Sequence, residues 1–413
     1  MSTQRIEADW LKDEALQRLL LALSDGGEAA RVVGGAVRNT LLGLAVTDVD
    51  IATTTLPEQS SERARAAGFK VVPTGIDHGT VTVVADGRGY EVTTLRRDIA
   101  TDGRHATVSF GRDWRADAER RDFTMNALYC EASGEVIDLV GGLEDLSARR
   151  VRFIGDADQR IAEDYLRILR FFRFFAWYGE GRPDAAGLKA VTRLRGGMKR
   201  LSVERVWAEL KKLLAAPDPS RALLWMRQTG VLTEALPETE KWGIDAIPGL
   251  IAAEADLGWK ADAMLRLAAI VPPDAARLAA MAQRLRFSNA DRDRLLAFAN
   301  AEAPRPDESE AVFRARLYFG DRTAIVDRLR LALAGTRVKA AEDMAKLAEV
   351  AALHRMLTTA EKFSPPAFPL SGNDLLASGV SAGPVLGETL KRLTRIWVDS
   401  GFVLGKKSLL ERL

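Results

Sequence analysis

Arg31-Val32-Val33-Gly34-Gly35-Ala36-Val37-Arg38-Asn39-Thr40-Leu41-Leu42, followed shortly by Thr47-Asp48-Val49-Asp50-Ile51, decides the fold of this chain. A β-branched run enters a glycine turn and an apolar-periodic segment leaves it, which reads as strand, turn and helix. Glycines let backbone N–H groups approach a triphosphate, a helix start adds a favourable dipole, and Arg38 stands one turn in as a charged partner. Taken alone, Gly34-Gly35 describes an ordinary tight turn equally well. In the second stretch acids alternate with apolar residues, so a strand would put Asp48 and Asp50 on one face and send Val49 and Ile51 into the core. Mg²⁺ takes oxygen ligands, usually one or two carboxylates completed by water and substrate phosphate, and such a pair suits two-metal phosphoryl transfer. By itself the alternation also describes the exposed face of an edge strand.

The surrounding residues extend this reading. Short runs at Arg31–Val33, Val49–Thr53, Val81–Ala85 and Tyr90–Leu95 predict strands, with Asp86-Gly87-Arg88-Gly89 turning a hairpin over residues 81–95. Glu91, on the second arm of that hairpin, could supply a third carboxylate. Arg120-Arg121-Asp122-Phe123-Thr124-Met125-Asn126-Ala127 combines adjacent cations, an acid and an amide, a set suited to triphosphate oxygens and a ribose hydroxyl or, more simply, to a solvated surface. From about Asp156 onward helical periodicity takes over. Prolines at 217 and 219, at 304 and 306, and at 365, 366 and 369 interrupt it.

Composition bounds the possibilities. A chain of 413 residues, 47% hydrophobic with 15 prolines, has material for several packed cores. Its single cysteine, Cys130, and its polar start MSTQRIEADW argue against a disulfide framework and secretion, so the cytoplasm is the expected compartment. No apolar run approaches the roughly 20 residues of a membrane-spanning helix. Lys and Arg number 59 against 57 acids, so any nucleic-acid surface must be a local patch. The histidines 78, 105 and 354 show no zinc-ligand spacing. No obligate protein partner is inferred.

Residues 160–176 read as one amphipathic helix, with Ile161, Tyr165, Ile168, Leu169, Phe172 and Phe175 on the apolar face. Asp164 and Arg167, three apart, would be neighbours able to meet one planar base edge. Cytosine and adenine present an exocyclic amine beside a ring acceptor, whereas uracil and guanine present a carbonyl beside a ring N–H, so such a pair would separate the two classes. On spacing alone the pair is equally a simple intrahelical ion pair. Arg284, Arg286, Arg292, Arg294 and Lys406-Lys407 suggest a phosphate-binding track or, more plainly, solvated faces.

Gly34-Gly35-Ala36-Val37-Arg38, Asp48-Val49-Asp50, Arg120 through Ala127, and Glu163-Asp164-Tyr165-Leu166-Arg167-Ile168-Leu169-Arg170, in that order, resemble the motifs of bacterial class II CCA-adding enzymes and their poly(A) polymerase relatives. Asp138 through Leu146 resembles the family's connecting motif, Arg96 through His105 its flexible loop, and Ser371 through Pro384 its tail motif. The resemblance implies an α/β (α+β) nucleotidyltransferase head of the polymerase beta superfamily followed by all-α domains. It places the head at residues 1–147, a neck for base selection at 148–215, a body at 216–303 and a tRNA-binding tail at 304–413. The activity implied is template-independent addition of C, C and A to the tRNA 3′ end from CTP and ATP, with Mg²⁺ held by Asp48 and Asp50 and Glu91 as a further catalytic candidate. Nucleotide-binding residues carried over are Gly34, Gly35, Arg38, Arg120, Arg121, Asp122, Asn126, Glu163, Asp164, Arg167 and Arg170. An A-adding enzyme or poly(A) polymerase shares these motifs. A catalytically silent RNA-binding protein is the alternative from another class, opposed by the intact Asp48 and Asp50.

Overall fold

Alternation in the valine-rich stretches builds the sheet. The computed structural model describes residues 4–76, 79–101, 106–240 and 242–413. Its strands are β1 (Ala30–Val33), β2 (Asp50–Thr53), β3 (Lys70–Gly75), β4 (Thr80–Ala85), β5 (Arg88–Thr94), β6 (Arg96–Thr101), β7 (Ala106–Phe110), β8 (Leu128–Cys130) and β9 (Val136–Asp138). Seven form one sheet in the order β3-β4-β5-β2-β1-β8-β9, antiparallel except where β2 runs parallel to β5. Val81, Val83 and Ala85 of β4 point into the core with Tyr90 and Val92 of β5. The turn between them places Asp86 and Gly87 at φ 49° and 79°, the two-residue geometry that matches strand twist. β6 and β7 form a separate two-stranded hairpin, and the Asp102–His105 part of the expected flexible loop lies outside the described residues.

Helices α1 (Glu14–Leu23), α2 (Gly35–Leu41), α3 (Pro57–Ala66), α4 (Trp114–Glu119) and α5 (Gly142–Ser147) accompany the sheet, and α6 (Ala157–Glu163), α7 (Leu166–Tyr178), α8 (Ala185–Leu194) and α9 (Val203–Leu214) follow it. The chain separates into two compact units, residues 1–237 and 238–413, so the expected 216–303 segment is divided between them. In the first unit an aromatic cluster joins the strand-rich part to α7. Phe123 lies 4.9 Å from Phe153 and 5.1 Å from Phe174, and Phe153 stacks on Phe171 at 5.4 Å and 11°. Phe123 and Phe171 are fully buried, each contributing about 1.5–3 kcal/mol of hydrophobic stabilisation.

The connecting stretch after β9 is fixed by backbone capture. Asp138 Oδ1 accepts the N–H groups of Val140, Gly141 and Gly142 at 3.1, 2.9 and 2.9 Å, and Oδ2 accepts that of Leu143 at 2.9 Å. Gly142 packs so closely that a Cβ there would sit 2.3 Å from the Thr124 carbonyl oxygen.

The second unit is helical throughout its described residues. Leu329 and Leu333 of the helix Arg322–Ala340 pack with Leu353 and Leu357 of the helix Leu347–Lys362. Arg266 and Glu254, 1% and 6% exposed, form a buried pair at 2.5 Å. Arg294, expected on a phosphate track, is instead bound to Asp262 at 2.7 Å and Asp327 at 2.9 Å, because those acids of the same unit claim its donors. Among the described residues no helix is long and apolar enough to cross a membrane.

Gly142→Ala should lower unfolding stability by about 1–3 kcal/mol, since the added methyl must displace backbone rather than a flexible side chain. Urea denaturation of the variant beside Gly141→Ala checks this. At Gly141 a Cβ meets only the far end of Arg152, at 3.3 Å, although its φ of 80° carries its own strain, so a distinctly larger loss is expected at 142.

Candidate nucleotidyltransferase site

Where β1 ends at Val33 the chain turns through Gly34, whose φ of 72° favours glycine, and enters α2. The Gly34 N–H is spent on the Leu128 carbonyl at 3.0 Å, so the turn is anchored to β8 rather than offering that donor outward. Any backbone donors must come from the first turn of α2, whose N–H groups lack intrahelical partners. Opposite Val33 in the register stands Asp50, which in turn pairs alongside Glu91 of β5. The turn and the two acids are therefore set by strand pairing.

Asp48 departs from the expectation. Strand pairing begins only at Asp50, so Asp48 and Val49 lie in the coil before β2, Val49 is half-buried rather than core, and the period-2 argument does not reach Asp48. Asp50 lines a cleft of about 450 Å³, whereas Asp48 lines a neighbouring one of about 810 Å³ with Trp10, Asp13, Arg88 and Tyr90. The acids still sense one another. Although Asp50 opens to the cleft, desolvation by the atoms packed around it raises its pKa above the usual carboxylate value, the Glu91 charge and more weakly Asp48 add to this, and Arg121 opposes it. Among the described residues no three His, Cys, Asp or Glu side chains converge on one metal position. An all-oxygen pair of mutually repelling carboxylates fits a hard cation such as Mg²⁺, which draws its remaining ligands from water and phosphate.

Of the catalytic and nucleotide-binding residues marked by sequence, all but Asp48, Glu91 and Glu163 line the cleft that holds Asp50. Six arginines (38, 120, 121, 167, 170 and 205) meet three aspartates (50, 122 and 164) there, an excess of positive charge suited to an anionic ligand. Several of these cations are held from behind. Asp117, 1% exposed, binds Arg120 at 2.6 Å and Arg121 at 3.1 Å and accepts the Tyr129 hydroxyl at 2.8 Å. Burial pushes its pKa up, but Arg121 and Arg120 outweigh this and the net shift is downward. The two arginines are thus ordered groups and not solvated surface charge.

Asp122 organises the next layer. Its Oδ2 accepts Arg170 Nε at 2.8 Å, and its Oδ1 accepts the Asn126 amide at 2.9 Å and the Phe123 N–H at 2.8 Å. Asn126 passes the constraint on, accepting Arg38 Nη1 at 2.5 Å, while Arg38 also reaches Tyr178 Oη at 2.8 Å and lies 4.1 Å from that ring's centroid. Arg38 is 7% exposed, and burial lowers its pKa.

The helix expected over 160–176 is two helices. The chain breaks at Asp164, extended at φ −152° and ψ 107°, between α6 and α7. The Tyr165 ring, just after the break, packs onto the Gly197 backbone, where a Cβ would come within 1.9 Å. Asp164 and Arg167 consequently do not form the simple ion pair that their spacing allows. Arg167 binds Glu163 at 2.6 Å and the Arg160 carbonyl at 2.7 Å. Asp164 Oδ1 accepts the Leu166 N–H at 3.0 Å and Oδ2 accepts Arg205 Nη2 at 2.6 Å. Sequence reasoning missed Arg205, for which no spacing signal exists at a separation of 41 residues. It also missed Asp117, although an acid three and four residues before Arg120 and Arg121 is a legible helical pattern.

Two family models match the chain, the poly A polymerase head domain over residues 30–152 and the probable RNA and SrmB-binding site of polymerase A over 184–242. The mitochondrial CCA tRNA nucleotidyltransferase 1 of Mus musculus is 33% identical over 99% of this chain and 92% of its own length. This chain belongs to the CCA-adding enzyme and poly(A) polymerase family. The CCA-adding enzyme of Leuconostoc mesenteroides is 41% identical over 55% of the chain and 56% of that protein. The crystal structure of the Bacillus stearothermophilus CCA-adding enzyme in complex with CTP superposes with a TM-score of 0.75 at 29% identity, covering 97% of each chain. Membership of the CCA-adding family fits the mixed seven-stranded sheet, the helical remainder and the cationic cleft.

Asp122 gives a pH prediction. Burial opposes its ionisation, but Arg170, Asn126 and the Phe123 N–H together pull its pKa from 3.8 down to about 2. A folded-state pKa below the unfolded value means the stabilisation is complete above about pH 4 and is lost as pH falls toward 2, a change of about 2 kcal/mol. Urea unfolding between pH 2 and 6 should show a shallower acid loss in Asp122→Asn than in the parent, whatever their difference at neutral pH.

Proposed function

We propose that this chain adds C, C and A to the 3′ end of tRNA from CTP and ATP, without a nucleic-acid template, in the manner of the bacterial class II enzymes. The observation that carries the reading is the convergence, in one cleft, of Asp50, Asp164 and six anchored arginines, among them an Arg167 held separately from Asp164. The RNA 3′-hydroxyl attacks the α-phosphorus, its proton leaves, and the bond to pyrophosphate breaks. Asp50 and Asp48 would hold Mg²⁺, with Glu91 beside Asp50. When bound, the metal supplies activation of the hydroxyl and charge stabilisation on the leaving oxygen. Arg120 and Arg121, presented by Asp117, receive triphosphate oxygens. Arg38 and the Gly34-Gly35 turn define the wall beside them, and Asp122, Asn126 and Arg170 set that wall's position. Asp164 accepts the exocyclic amine of cytosine or adenine, and Arg167, aligned by Glu163, donates to the ring acceptor.

The finer organisation is part of this proposal, with the head at 1–147, neck at 148–215, body at 216–303 and a tRNA-binding tail at 304–413. The hairpin β6–β7 is proposed to carry the loop that accompanies the change from CTP to ATP. The cytoplasm is proposed from composition alone, while the Mus musculus relative is mitochondrial by name. Shared motifs keep one alternative, an A-adding enzyme or poly(A) polymerase of the same family.

Labelled CTP and ATP, offered separately and together to tRNAs ending before the CCA, after the first C and after the second C, test the assignment. Two C residues followed by one A are expected; use of ATP alone would make this an A-adding or poly(A) enzyme, told apart by product length. Asp50→Ala should lower incorporation about a thousandfold or more without unfolding the chain. Asp164→Ala should raise use of UTP and GTP relative to CTP and ATP, measured as a ratio of kcat/KM values, while leaving the Mg²⁺ concentration for half-maximal activity unchanged.

A further inference from the structure

The base-reading acid is held by a residue from a different helix. Asp164 stands in extended backbone between α6 and α7, so no helical turn fixes its side chain. Two anchors do so instead, the Leu166 N–H on Oδ1 and Arg205 on Oδ2. Arg205 projects from α9, and one turn further along the same helix Glu209 binds Arg173 at 2.6 Å and Arg170 at 3.8 Å. Residues four apart share a helix face, so α9 meets Asp164 through Arg205 and α7 through Glu209 at successive turns. Arg205 and Asp164 are 32% and 22% exposed and both line the cleft.

We propose that Arg205 is a specificity-determining positioning residue, which orients the Asp164 carboxylate so that its free lone pairs meet the amine of cytosine or adenine. The inference rests on the assignment of Asp164 as a base reader made above. Each carboxylate oxygen has two acceptor sites, so one bond to Leu166 and one to Arg205 leave capacity for the base. Without Arg205 the terminal torsion of Asp164, which is broad and roughly two-fold, is held by the Leu166 N–H alone, and the penalty against a base carbonyl falls. Arg205 itself touches no reacting atom.

The test is single-nucleotide incorporation by the full chain, comparing CTP with UTP on tRNA ending before the CCA and ATP with GTP on tRNA ending after the second C. Arg205→Ala should reduce the C-over-U and A-over-G ratios of kcat/KM about tenfold, and Arg205→Lys should restore part of each ratio. A purely structural role would lower all four rates by one factor and leave the ratios unmoved, which overturns the proposal, as does a sharper ratio. Asp164→Ala separates the two levels of argument. If it leaves the ratios intact, the base-reader assignment falls; if it collapses them and Arg205→Ala does not, only the role of Arg205 falls. Should Arg205→Ala fail to show a cooperative thermal transition, the lysine variant decides, since lysine keeps the charge but not the guanidinium fork. A ratio in that variant equal to the parent's then counts against the proposal.

Discussion

The Asp122 carboxylate is the constraint on which the cleft depends. It is 9% exposed, and its partners come from both sides of the site, Arg170 from α7 and Asn126 with the Phe123 N–H from the strand-rich part. A buried charge of this kind is tolerable only while fully paired, and loss of one partner leaves the other desolvated and uncompensated. The geometry is transmitted from there. Asn126 orients Arg38, whose guanidinium also lies against Tyr178 of α7, so a cation at the glycine turn is fixed by the helix that carries Arg167 and Arg170. Phe123, next in sequence to Asp122, inserts into the aromatic cluster with Phe153 and Phe174. Hydrophobic packing and the ion pair therefore secure the same junction.

The same device recurs around the cleft. Asp117 stands behind Arg120 and Arg121, Glu163 behind Arg167, and Glu209 behind Arg170. Arginines ordered in advance lose little freedom when a ligand arrives, and their excess charge stays directed at the cleft. Asp50 is arranged the opposite way. Desolvation and neighbouring carboxylates disfavour its charge, leaving a local deficit of cation beside a surplus further along. A metal-bridged triphosphate would complement both features at once.

Much of this was legible in the sequence, because its signals were local. The strands at Val81–Ala85 and Tyr90–Leu95 and the Asp86-Gly87 turn follow from alternation and turn chemistry, and most of the marked site residues line one cleft. What sequence could not give depends on tertiary contact. Periodicity through residues 160–176 is continuous, yet the chain is extended at Asp164 and the Tyr165 ring is seated on the Gly197 backbone, a contact across 32 residues that no local pattern announces. Asp48 reads as a strand residue, but pairing with β1 and β5 begins at Asp50. Arg294 looks like a phosphate ligand until Asp262 and Asp327 are seen on it. Arg205 carries no local signal, since its meaning lies in a partner on another helix.

The break at Asp164 bears directly on the base reading proposed for Asp164 and Arg167. In a continuous helix Asp164 and Arg167 would be neighbours three apart, and each would satisfy the other. Such a pair would have to come apart before reading a base, which would weaken discrimination. The extended residue between α6 and α7 removes that competition by giving each side chain its own partner, Arg205 for the acid and Glu163 for the cation. Its local cost is an interrupted helical hydrogen-bond ladder. Asp164 offsets part of that cost by accepting the Leu166 N–H, a local side-chain bond to the first turn of α7. One carboxylate oxygen thus serves the fold while the other is oriented by Arg205, and the acceptor sites they leave open face the cleft where a base would lie.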